Sequence, residues 1–177
     1  MGKDRAPVWP SGYVGSISHS HGVCCAVAAR REYVEAIGVD VELASPLSDE
    51  VANRVCRRDE LDHGSDLPAL AKGDWFQLVF SAKETLYKCY YPLARSFLDF
   101  QDVSIRFALD PGSRSTGTFR GNLVVDRAWP FAGAVEGRFR AACDVVSTGA
   151  AVVRAALTCP GERVPDDDAR GLFGERV

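Results

Sequence analysis

The chain has 177 residues, 46% of them hydrophobic and 25% charged, with a formal net charge of −3 at pH 7. That is enough apolar material for one domain with a substantial core, or for two small halves packed together. The mildly acidic balance gives no electrostatic footprint for nucleic acid, which sets polynucleotide binding aside.

Cys24, Cys25, Cys56, Cys89, Cys143 and Cys159 form no CxxC pair and no Cys/His zinc spacing. The opening MGKDRAPVWP carries charges without an apolar segment, so no secretory signal is expected. No apolar run is long enough to predict a membrane span. The cysteines therefore read as reduced thiols of a cytoplasmic protein, with Cys24 and Cys25 in its core.

The stretch WPSGYVGSISHSHG, Trp9 to Gly22, sets Ser16, Ser18, Ser20, His19 and His21 beside Gly12, Gly15 and Gly22. Glycines let backbone approach a phosphate closely. A Ser–His pair also invites a nucleophilic reading, but there is no nucleophile elbow, and adjacent strand residues point to opposite faces. His21 reads as structural, and Trp9 and Pro10 as packing and turn residues.

Val23 to Ala29 is a small apolar run at the length of a buried strand. After the polar link RREYVE, residues Ala36 to Leu43 alternate, which predicts a second strand and an antiparallel hairpin. In that strand Asp40 and Glu42 share a face, about 6.6 Å apart. They are either the polar outer face of a half-buried sheet or oxygen ligands for a hard divalent ion such as Mg²⁺.

Ser48 can cap a helix running through SDEVANRVCRRDEL, with Asp49 and Glu50 in its first turn. From Pro68 to about Pro92 the helical period is strongest: Trp75, Val79, Ala82, Leu86 and Tyr90 fall on one face, and Gln77, Ser81, Glu84 and Lys88 on another. Glu84 and Lys88 are i and i+4, about 6 Å apart, hence either a surface ion pair or a ligand and a cation for phosphate. Lys83 sits at the apolar edge. If the apolar stripe packs on the sheet, Glu84 joins Asp40 and Glu42 in a three-carboxylate cluster.

Beyond Asp99, VSIRFAL, GTFRGNLVV and VEGRFRAACDVVSTGAAVV read as strands punctuated by Gly and Pro. The expectation is an α+β fold with an antiparallel sheet and one long packed helix, a domain over residues 1–160 and a loose tail over 161–177.

Together APVWPSGYVGSISH, GVDVE and FSAKETLYK resemble, in order and approximate spacing, the three motifs of the 4′-phosphopantetheinyl transferase superfamily. The match is to the type that activates enterobactin, surfactin and other non-ribosomal peptide and polyketide synthetases. GRFRAACDVVSTGAAVV looks like that type's closing strands. The resemblance covers about residues 5 to 155. It implies Mg²⁺-dependent transfer of phosphopantetheine from coenzyme A to a serine hydroxyl of an acyl or peptidyl carrier protein, releasing adenosine 3′,5′-bisphosphate. Under it Asp40, Glu42 and Glu84 match the Mg²⁺ ligands. Glu84, directly or through a metal-bound water, takes the serine proton. Lys88 stabilises or protonates the leaving phosphate. Ser18 and His19 match the pair that binds coenzyme A phosphates, Lys83 is a further phosphate contact, and Arg5 a loose match to a contact for the 3′-phosphate.

Members of this type have two similar halves, with the first motif well inside the chain. Here that motif opens the sequence, so most of an N-terminal half is expected to be lacking. An exposed apolar face is then expected near Val23 to Ala29 or on the long helix, and a homodimer through that face is one way to cover it. The alternatives to transfer are a non-catalytic remnant that binds coenzyme A or a carrier protein, and a phosphohydrolase using the same carboxylates.

Overall fold

The computed structural model describes residues 6–43, 47–63, 72–142 and 145–153. Arg5 and the tail 161–177 lie outside the described residues. Seven strands lie among the described residues. β1 (Tyr13–Ser20) and β2 (Val23–Arg30) pair antiparallel. His21 and Gly22 turn the chain between them at φ 43° and 89°. Two consecutive left-handed residues match the twist of a two-residue hairpin turn.

The remaining strands are β3 (Val34–Leu43), β4 (Val103–Leu109), β5 (Thr116–Leu123), β6 (Val135–Ala142) and β7 (Val145–Val153). They form a five-stranded sheet in the order β3-β7-β6-β5-β4, antiparallel throughout. The helices are α1 (Asp49–Val55), α2 (Arg58–His63) and α3 (Lys72–Ala94). None is long and apolar enough to cross a membrane. The fold is α+β, with antiparallel sheets and one long helix.

The hairpin expected between β2 and β3 does not form. β3 pairs with β7, which brings the end of the chain's sheet next to Asp40. β2 is an outer strand without a buried residue. Cys24 is exposed and Cys25 half-buried, not core residues. An uninterrupted run of small apolar residues fits an open edge strand as well as a buried one, so composition alone misjudged its environment. The open apolar face thus lies on β2, whereas α3 is buried along most of its length.

The helix expected from Ser48 onward is two. Ser48 Oγ accepts the Val51 N–H, and α1 ends where Cys56 turns extended. Glu60 Oε2 accepts the Arg57 N–H at 2.7 Å and restarts the chain as α2. α3 outruns Pro92 by two residues. In a last turn a proline removes one donor and leaves the following residues helical, and the Arg95 N–H still reaches the Tyr91 carbonyl at 2.9 Å.

The anticipated stripe of α3 is its core face: Trp75, Val79, Ala82, Leu86 and Tyr90 are each at most 2% exposed. They pack on Ile105, Phe107, Phe119, Phe139 and Val146. Trp75 meets Phe107 edge-on at 5.1 Å, and Phe107 meets Phe139 at 5.4 Å. Each such side chain contributes roughly 1.5–3 kcal/mol on burial. Hydroxyls add direction: Thr148 Oγ1 on β7 lies 2.9 Å from Ser81 Oγ and 2.7 Å from Thr85 Oγ1 on α3.

Gly38 sets how near α3 comes to β3. A Cβ there would collide with the Thr85 carbonyl and come within 2.9 Å of the Cys89 sulfur. Gly38→Ala is expected to destabilise the protein by about 1–3 kcal/mol through overpacking, as read from the shift in a urea unfolding midpoint.

Candidate active site

Side chains two apart on a strand share a face, so Asp40 and Glu42 point to the side on which Gly38 admits α3. The polar face of β3 is therefore not an outer face. Asp40 is 2% exposed. Its Oδ1 accepts from Lys88 Nζ at 2.7 Å and from Ser18 Oγ at 2.8 Å. Its Oδ2 is buried without a hydrogen-bond partner among the described residues. Glu42 is half-buried and its Oε2 accepts from Ser20 Oγ at 2.9 Å. Glu84 faces them from α3, half-buried, with no hydrogen bond or ion pair among the described residues.

Ser18, His19, Asp40, Glu42, Glu84 and Lys88 line one cavity of about 240 Å³. A larger one of about 800 Å³ shares Lys88 and Ile17 with it and is walled by Trp9, Tyr13, Arg31, Tyr87, Tyr91 and Arg95. Lys88 donates to Asp40 Oδ1 and, at 3.1 Å, to the Val39 carbonyl. It thus crosses to β3 instead of pairing with Glu84 along the helix. Two of its three protons are spent there.

Lys83 does not face this cavity. It is 3% exposed, and its Nζ donates to Glu60 Oε2 at 2.7 Å and to the Val55 and Phe100 carbonyls at 2.8 Å each. All three of its protons are used, so no phosphate contact remains to it. Glu60, 0% exposed, also accepts from the Ile105 N–H at 2.7 Å. Ser18 gives its hydroxyl proton to Asp40, and its oxygen accepts the Val41 N–H at 3.3 Å.

The three carboxyl groups do not close around one ion. Among the described residues no group of three His, Cys, Asp or Glu side chains is placed to hold a metal. Like charges repel, and Asp40 Oδ1 is already held by Lys88 and Ser18. The donor set nevertheless suits a hard cation. It consists of carboxylate oxygens, one of them buried and unpartnered, and Mg²⁺ needs only one or two carboxylates beside substrate phosphates and water.

Glu60 and the Ser20 contact with Glu42 were not singled out from sequence. A lysine at the apolar edge of a helix is the signal that a buried carboxylate must exist somewhere, but not where.

Burial raises the Glu84 carboxyl above its ordinary 4.5; the charge of Asp40 adds to this, Lys88 opposes it and Glu42 adds again. The folded value lies above the unfolded one, so ionisation of Glu84 costs stability as pH rises past 4.5. In metal-free protein Glu84→Gln is expected to raise the melting temperature at pH 8 and to leave it unchanged at pH 4. Thermal melts in chelator at the two pH values check this; an equal shift at both would assign the effect to packing.

Two family models match the sequence. That of the 4′-phosphopantetheinyl transferase superfamily covers residues 36–143. That of the 4′-phosphopantetheinyl transferase N-terminal domain covers residues 1–29. The chain is 36% identical over 163 residues to the 4′-phosphopantetheinyl transferase Svp of Streptomyces mobaraensis, a match spanning 89% of this chain and 63% of that protein. It is 34% identical over 126 residues to the 4′-phosphopantetheinyl transferase PptT of Mycobacterium tuberculosis, spanning 71% of this chain and 54% of the relative. With enterobactin synthase component D of Salmonella typhi it shares 37% identity over 95 residues, 51% of this chain and 37% of that one. The chain thus spans between 54% and 63% of the two transferases it matches over most of its own length. With the first model covering most of the sheet, all of α3 and the acidic strand β3, the chain belongs to the 4′-phosphopantetheinyl transferase superfamily.

Proposed function

We propose that the chain is a Mg²⁺-dependent 4′-phosphopantetheinyl transferase that moves phosphopantetheine from coenzyme A to a serine hydroxyl of an acyl or peptidyl carrier protein. The carriers would be those of non-ribosomal peptide, polyketide or fatty-acid synthases. The observation that carries this reading is Asp40 Oδ2, a buried carboxylate oxygen without a hydrogen-bond partner among the described residues, at the wall of an acidic cavity. Leaving such an atom unsatisfied is costly, and a cation bound with the substrate relieves it.

Asp40, Glu42 and Glu84 are the residues that would hold Mg²⁺. Bound there, the ion supplies Lewis-acid neutralisation of the pyrophosphate charge. The chain's own groups do the rest. Glu84 accepts the serine proton. The serine oxygen bonds to the phosphorus that carries pantetheine, and the bond from that phosphorus to the bridging oxygen breaks. The departing group is adenosine 3′,5′-bisphosphate. Lys88, which lines both cavities, stabilises or protonates its phosphate. His19 on the cavity wall is a second cation or donor for phosphate. The larger cavity has aromatic walls from Trp9, Tyr87 and Tyr91 and guanidinium groups from Arg31 and Arg95, which suit an adenine ring and its 3′-phosphate.

The test is incubation with coenzyme A, Mg²⁺ and an apo carrier protein, followed by intact mass of the carrier. The expected result is a gain of one phosphopantetheine per serine, reduced on the order of a hundredfold or more in Asp40→Ala. Binding of coenzyme A without transfer would mark a non-catalytic binding protein. Hydrolysis of coenzyme A without a carrier would mark a phosphohydrolase.

A further inference from the structure

The β1–β2 hairpin meets β3 through serine side chains. Ser16 Oγ accepts the Val39 N–H at 3.1 Å, and Ser18 Oγ accepts the Val41 N–H at 3.3 Å. Each hydroxyl takes the place that a carbonyl of a neighbouring strand would fill. Ser20 is next in this period-two row and differs from the other two. It is 9% exposed, receives no β3 amide, and gives its Oγ proton to Glu42 Oε2 at 2.9 Å. On its other side the same oxygen lies 3.2 Å from His21 Nδ1. A hydroxyl has one proton and two lone pairs. While the proton goes to Glu42, the oxygen can only accept from His21. The order His21, Ser20, Glu42 then has each proton aimed toward the carboxylate.

We propose that Ser20 is a positioning residue that holds the Glu42 carboxylate, with His21 behind it, in the orientation a divalent cation requires. The proposal rests on reading Asp40, Glu42 and Glu84 as the oxygen donors of the site. Ser20 acts through Glu42 and touches neither substrate nor cation. A glutamate on a half-exposed strand end samples many rotamers, and the hydrogen bond selects one before the cation arrives. Groups that orient metal ligands typically change affinity by about ten- to a hundredfold when removed. Ser20 is also the one serine of the row whose loss takes no acceptor from a β3 amide, so Ser20→Ala is expected to fold.

The experiment titrates the full chain with Mn²⁺ and reads the free ion by electron paramagnetic resonance, alongside metal-free melting temperatures. For Ser20→Ala the expected result is an unchanged metal-free melting temperature and Mn²⁺ binding weakened about tenfold. Ser20→Thr keeps the hydroxyl and is expected to restore most of the affinity. Wild-type Mn²⁺ affinity in Ser20→Ala overturns the proposal alone. A weakened affinity that comes with a lower metal-free melting temperature and is not restored by threonine also overturns it, in favour of a structural role. A wild-type chain that binds no Mn²⁺ overturns it together with the reading of the acidic site.

Discussion

Asp40 holds a carboxylate at 2% exposure, and the surroundings of β3 are arranged around that cost. An ionised carboxyl leaves water only where charge and hydrogen bonds replace it. Lys88 supplies the charge from α3 and Ser18 supplies a hydrogen bond from β1, both to Oδ1. Three elements from separate parts of the chain thus converge on one oxygen atom. The other oxygen has no hydrogen-bond partner among the described residues. One oxygen of the carboxylate thus ties the fold together, and under the proposed function the other is the one open to a cation.

Two lysines set the rotation of α3. At 3.6 residues per turn, positions 83 and 88 are about 140° apart around the helix. Lys83 is tied to Glu60 on α2 and to the carbonyls of Val55, at the end of α1, and Phe100, just before β4. Lys88 is tied to β3. A helix held by ammonium groups on two sides cannot roll, and Glu84 lies next to one anchor and one turn from the other. Breaking a buried pair such as Lys83–Glu60 costs roughly 3–5 kcal/mol, because it strands a charge. The motif lysine beside Glu84 therefore acts on the site by fixing the frame that presents the glutamate.

Much of this was legible in the sequence, and for identifiable reasons. The period of α3 reflects one apolar stripe against one sheet, and Trp75, Val79, Ala82, Leu86 and Tyr90 are where that period puts them. β4, β5 and β6 alternate because one face is core. Asp40, Glu42, Glu84 and Lys88 do line one cavity. What failed was partnership. Adjacent segments suggested that β2 pairs with β3, but β3 joins β7 more than a hundred residues later, a choice made by the core and not by chain proximity. Lys83 and Lys88 have the same chemistry and opposite fates, and only the placement of Glu60 and Asp40 separates them. Ser18 entered as a coenzyme A phosphate ligand through the resemblance alone, which does not say where its hydroxyl points. Its single proton is claimed by Asp40.

The seam between the hairpin and β3 explains why a cavity exists where the carboxylates are. β3 is an edge strand of its sheet, with amides that need acceptors. A backbone-paired neighbour would satisfy them at a spacing of about 4.8 Å, leaving no room between the strands. Serine hydroxyls satisfy the same amides from the end of a side chain, so β1 stands farther away and does not continue the sheet. Ile17, Ser18 and His19 then form one wall of a gap whose other wall is Asp40 and Glu42. The alternation that puts serines at 16, 18 and 20 is therefore not incidental decoration of a hairpin. It closes an exposed edge, spaces two sheets, and aims hydroxyl protons at Asp40 and Glu42, so the cleft and the orientation of its acids come from the same three residues.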